Sequence, residues 1–209
     1  MELREIIENV EPDSPQLKQT IQNLVAHHVA ITSTLAVLEA GTRPPMDRNG
    51  LVDRSQMLMV PEAWSKTMTS RAGETANDSL SQKLLQKEMK FEREFVAAGG
   101  VLMAGCDPTG DGHTLAGLGD QRNIELLAEA GFSPVEVIHI ATQNGATFLG
   151  EAERIGSVAA GKQADLVLLN GDLAKDISTI EKPEIVFKAG VGYDSNAIYE
   201  SLRGKVGRQ

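Results

Sequence analysis

The chain has 209 residues, of which 41% are hydrophobic and 23% charged, enough to bury a core in one domain or in a domain with a small appendage. With 20 Lys and Arg against 29 Asp and Glu the formal net charge is -9, and aromatics make up only 4%, which argues against nucleic acid or an anionic membrane surface as partner. The single cysteine, Cys106, excludes an internal disulfide, and no run approaches the roughly 18 apolar residues of a membrane helix, so the cytoplasm is the expected compartment.

The N-terminal stretch MELREIIENVEPDSP is acidic and has neither the basic nor the apolar region of an export leader. Periodicity then begins. Leu17, Ile21, Leu24, Val25 and His28 share one helical face, and Ser14-Pro15 ahead of them suits an N-cap and a first-turn proline. The next stretch, Val29 to Leu38, is apolar and rich in β-branched residues, as expected of a parallel strand covered on both faces; Gly41 and Pro44-Pro45 close it. Residues 46–80 read as an irregular excursion with one or two short helices and a break at RAGETANDS, of the kind that covers a site.

A long helix is predicted from Leu80 to Ala98, ended by Gly99-Gly100, and a strand from Val101 to Gly105 follows it. The order of helix, strand, excursion, helix and strand is that of an α/β fold. Beyond a glycine-rich loop, Pro108 to Gly119, a helix is expected from Asp120 to Ala130 with Gly131 just past its end. The stretch FSPVEV then carries a helix start, with Ser133 as N-cap, Pro134 and Glu136 in the first turn, and Phe132 and Val137 placed as a hydrophobic staple; that helix should last to about Asn144. After Gly150 short strands joined by glycine turns point to a small β module.

Chemistry concentrates at Asp107. It follows a strand end, where catalytic groups of parallel α/β folds sit, and an aspartate there can hold a metal and take a proton from water. The competing reading is that Asp107, ahead of Pro108, caps a turn. His113, in the same loop, can meet a substrate or be incidental. His27 and His28 suit the negative end of the first helix, His139 reads as a packed core histidine, and Cys106 as a small core residue facing away from Asp107 with no cation to activate it. No H-x-H, H-E-x-x-H, cysteine pair, phosphate loop or G-x-S-x-G elbow occurs.

Four blocks in order, GCDPTGDG, ELLAEAGFSPVEVIHIATQNGATFLG, RIGSVAAGKQADLVLLNGD and EIVFKAG, resemble the C-terminal third of metal-dependent amidohydrolases, in particular the imidazolonepropionase-like and prolidase-like branch. Upstream, HHVAITSTLAVLEAG is similar to that family's seventh barrel strand and MLMVPEAWSK to the mobile segment after it. The resemblance implies the last part of a (β/α)8 barrel in residues 1–152, with strands seven and eight, and a small β-sandwich portion in residues 153–209. It implies Asp107 as metal ligand and as the base that accepts the proton of the attacking water, and His113 as a substrate contact; Asp165 is a family landmark with a structural role.

By the same resemblance the family's other metal ligands have no counterpart, because the chain begins after the sixth strand. The barrel is therefore expected to be incomplete. A divalent metal, most readily zinc, is expected in the full-length context, with none retained by this chain alone. The expected partner is a small-molecule substrate, and a missing N-terminal half or a second copy is the other candidate. The activity implied is hydrolysis of non-peptide carbon–nitrogen bonds, including those of cyclic amides, or of a dipeptide's C-terminal residue, with a non-catalytic interaction module as the alternative.

Overall fold

The computed structural model describes residues 10–40, 51–73, 78–108 and 112–207. Helix α1, Pro15–Ala26, starts as its sequence requires: Ser14 Oγ accepts from Leu17 N–H at 3.3 Å, Pro15 fills the first turn, and His27 is the C-cap. Strand β1, Ala30–Ser33, pairs in parallel with β2, Val101–Ala104, in the register Ala30↔Val101 to Ser33↔Ala104.

The expected strand from Val29 to Leu38 is thus only four residues long. Beyond Thr34 the chain turns into helix α2, Leu35–Ala40, because Leu-Ala-Val-Leu-Glu-Ala is mostly strong helix formers and because β2 is itself only four residues long. Leu35 and Ala36 enter the core from that helix and not from a strand. The closing residues Gly41, Pro44 and Pro45 lie outside the described residues, as do residues 74–77 of the expected break.

Two helices form the excursion, α3, Leu51–Leu58, and α4, Pro61–Gly73. Helix α5, Asp78–Ala97, begins two residues before its predicted start and ends one short of its predicted end. Its buried stripe runs Leu85, Met89, Glu92 and Phe95, at the three- and four-residue spacing of one helical face. Helix α6, Leu118–Glu129, ends with Gly131 at φ 101°, where Phe132 N–H reaches Leu127 C=O at 3.2 Å and Gly131 N–H reaches Ala128 C=O at 2.9 Å. That pair of bonds is the Schellman closure.

Helix α7, Pro134–His139, opens with the predicted reciprocal cap: Glu136 N–H donates to Ser133 Oγ, and Ser133 N–H donates to Glu136 Oε2 at 2.7 Å. It runs through a π-helical turn, Ile140–Asn144, into α8, Gly145–Phe148, so the helical stretch outlasts its predicted end. Asn144 Nδ2 donates to Leu102 C=O at 2.7 Å and fastens this turn to β2. His139 is exposed and not a core residue. The buried positions are Val137 and Ile140, and a residue between them on a helix faces away from that stripe.

The core joins α2, α5, β2, α6 and α7. Leu35, Leu102, Leu126, Leu127 and Val137 have no accessible surface, and each such side chain stabilises the fold by roughly 1.5–3 kcal/mol relative to exposure.

C-terminal to this layer, β3, Leu166–Leu169, β4, Pro183–Lys188, and β5, Val191–Asp194, form one antiparallel sheet, followed by α9, Ser195–Leu202. In the region expected to supply a small β-sandwich portion, the described residues form this three-stranded sheet. Val167, Val191 and Tyr193 on it are about half exposed. Asp165 ties the sheet's turn by accepting from Lys188 Nζ, Ala189 N–H and Gln163 Nε2; the Lys188 bond leads these in holding its carboxyl well below the usual range. Among the described residues, no helix is long and apolar enough to cross a membrane.

Candidate functional site

The parallel pair ends with Gly105 N–H donating to Ser33 C=O at 2.9 Å. The next two residues part: Cys106 is 4% exposed, while Asp107 is exposed and holds a φ of 47°. The left-handed region is one that aspartate tolerates better than most residues, and here it turns the carboxylate out beyond the strand end. Burial, reinforced by the carboxylates of Asp120 and Asp107, pushes the Cys106 thiol up to about 11. At neutral pH Cys106 is therefore a thiol and not a nucleophile.

Beneath the ends of β1 and β2 lies a buried polar chain. Asn123 Nδ2 donates to Ser33 Oγ and C=O at 3.3 Å each, Asn123 Oδ1 accepts from Ala36 N–H at 3.1 Å, and Ser33 Oγ donates to Glu92 Oε2 at 3.0 Å. Glu92 is 1% exposed. Desolvation, assisted by neighbouring Glu88 and opposed by the Ser33 bond, pushes its carboxyl up to about 8, so at neutral pH Glu92 is mainly protonated.

A small cavity of about 50 Å3 lies between α2, the excursion and the loop before α6. His113 lines it together with Trp64, Thr67, Ser55 and Arg122, and His113 Nε2 is buried. Arg122, 3% exposed, donates to both Glu39 carboxylate oxygens at 2.7 Å, to Glu125 at 2.8 Å and to Glu129 at 2.9 Å. Burial alone would lower the pKa of this guanidinium, but Glu39 and the other two carboxylates hold it above its ordinary value. These bonds commit Arg122 to joining α2 and α6 rather than to a ligand.

Asp107 and His113 therefore sit in different surroundings, the first exposed at the strand end and the second on the cavity wall. Among the described residues, no three His, Cys, Asp or Glu side chains come together as a metal-holding group. The donor set does not fit a catalytic zinc, which needs about three protein ligands.

Sequence reasoning missed Glu92, Arg122 and Trp64. Glu92 had a sign, an acidic residue on an otherwise apolar helical stripe. Arg122 had none, since an arginine in DQRN reads as an ordinary solvated helix residue.

The model of the amidohydrolase family matches residues 20–192. Imidazolonepropionase of Phocaeicola vulgatus is 60% identical over 37 residues, which are 18% of this chain and 9% of that protein. The solved structure of a Bifidobacterium longum protein assigned as a prolidase is 26% identical and superposes with a TM-score of 0.58 over 83% of this chain and 38% of its own. A. niger ochratoxinase, at 17% identity, shares the fold with a TM-score of 0.56 over 90% of this chain and 38% of its own. The chain thus spans well under half the length of these solved relatives.

Proposed function

The chain belongs to the amidohydrolase family, and on that footing we propose that it forms the C-terminal part of a hydrolase that cleaves carbon–nitrogen bonds, with Asp107 as the base that takes a proton from the attacking water. The substrate is a small molecule, either a cyclic amide or a dipeptide cleaved at its C-terminal residue. The similarity to an imidazolonepropionase favours the former and the similarity to a prolidase-type structure the latter. One observation carries the reading: Asp107 is exposed in the loop that leaves the C-terminal end of a parallel strand, where this class of fold places its chemistry.

In this reading β1 and β2 are the last two strands of an eight-stranded barrel, and His113 meets the substrate from the cavity wall. A divalent metal, zinc first, would belong to the whole protein and would supply Lewis acidity at the scissile group. Asp107 is the one described residue proposed as its ligand, so the chain by itself is inactive.

The test is turnover of cyclic amides and proline-ended dipeptides by the whole protein carrying Asp107→Asn. Turnover should fall by about two to four orders of magnitude with the unfolding midpoint unchanged; near-normal turnover would sink the assignment. Turnover by the 209-residue chain alone would overturn the claim that it is only part of the catalyst.

A non-catalytic interaction module is the second reading. The exposed apolar side chains Val167, Val191 and Tyr193 favour it, and the φ of Asp107 equally suits a turn before Pro108. Under it, the complete protein would hold no stoichiometric metal after dialysis against a chelator.

A further inference from the structure

Residues 203–207 leave α9 and run along the joint between α3 and α4. Gly204 N–H donates to Met57 C=O at 3.0 Å, and the amides of Lys205 and Val206 both donate to Leu58 C=O, at 2.9 and 3.0 Å. Val60 N–H donates back to Val206 C=O at 2.9 Å, and Met59 and Val206 form a parallel bridge. The last carbonyls of any helix lack donors within that helix. At the end of α3 the C-terminal tail supplies the missing donors. Its seat continues onto α4, because a Cβ at Gly207 would lie 2.7 Å from Ala63 Cβ.

The other side of the joint faces the cavity loop. Met59 is 4% exposed, and a Cβ at Gly112 would lie 2.7 Å from Met59 Cε and 2.6 Å from Thr67 Oγ1. Gly112 has a φ of 81° and immediately precedes His113. One unbroken path of contacts therefore runs from Val206 through Met59 to Gly112 and His113.

We propose that the C-terminal tail is a positioning strap for the loop that carries His113, with Val206 and Met59 as positioning residues for substrate binding. The strap stands on these contacts alone; its consequence for substrate rests on the role given above to His113.

Val206→Pro tests it, since proline has no N–H to donate to Leu58. Hydrogen exchange at the amides of Val60 and of residues 112–114 should accelerate by about tenfold or more, while the β1–β2 amides keep their protection. Emission of Trp64, the only tryptophan and a lining residue of the same cavity, should shift to the red. Unchanged exchange at residues 112–114 overturns the proposal, even if Val60 accelerates.

If Val206→Pro also strips the β1–β2 amides, the chain has unfolded. Gly207→Ala then gives the same reading, since it keeps every donor while crowding Ala63 and straining the tail's backbone at a φ of 87°. In the active whole protein Val206→Pro should raise KM and leave kcat unchanged; a fall in kcat alone would place the strap with the reacting group and refute the assignment. His113→Ala separates the two claims: if it leaves KM unmoved while the exchange result holds, the substrate role falls and the strap remains.

Discussion

Replacing Glu92 by glutamine should change how stability depends on pH. The folded chain holds the Glu92 carboxyl at about 8 against an ordinary 4.5, chiefly through burial. A group whose folded pKa is raised binds its proton more tightly in the folded state. Its contribution is therefore fully present below about pH 4.5 and is lost as pH rises through about 8. At about 1.4 kcal/mol per unit, the loss across that window is on the order of 4 kcal/mol. The Glu92→Gln side chain keeps an acceptor for Ser33 Oγ but has no proton to lose. Urea unfolding of both proteins from about pH 5 to about pH 9 should give similar stabilities at the acid end and a variant more stable by a few kcal/mol at the alkaline end. Parallel stability curves over that range would refute the placement of an acidic side chain in a dry core.

Four other outcomes are expected. Leu126→Ala, at a position with no accessible surface, should cost about 2–5 kcal/mol in denaturant unfolding. Arg122→Ala removes the buried cation that Glu39 and Glu125 share and should cost about 3–5 kcal/mol by the same assay. Ser133→Ala removes the cap of α7 and should cost about 0.5–2 kcal/mol. Cys106, buried with its thiol pushed up to about 11, should react with a thiol reagent at about pH 8 far more slowly in the folded chain than in urea.

Local chemistry was the most readable part of this sequence. Ser14-Pro15, Ser133-Pro134 with Glu136, and Gly131 each specify a helix end through bonds made within a few residues, and each sits in the structure as its sequence requires. The α/β order and the exposed position of Asp107 were legible for a related reason, since a short apolar run ending in Cys-Asp-Pro leaves few alternatives.

What failed depended on distant partners. The length of β1 is set by its pairing with β2, and an apolar run from Val29 to Leu38 cannot show where that pairing stops. His139 was misjudged because its apolar neighbours belong to a stripe it does not share. The cavity wall joins α2, α3, α4 and the loop before α6, and no local pattern announces that these meet. The salt-bridged Arg122 is the extreme case, since the partner that takes two of its bonds, Glu39, lies on another helix.

The parallel pairing of β1 with β2 also bears on how the chain reaches this state. Ala30 finds Val101 roughly seventy residues later, and closing so large a loop is entropically costly before any contact offsets it. The hairpin of β4 and β5, with Lys188 beside Val191, closes over a few residues and forms on the microsecond scale. Helix α5 spans 20 residues and is held by contacts local to its own turns. On sequence separation alone, the C-terminal hairpin and the long helix are expected to form early and the strand pair that presents Asp107 late; amides of β1 and β2 gaining protection as early as those of β4 and β5 in pulse-labelled refolding would refute that order.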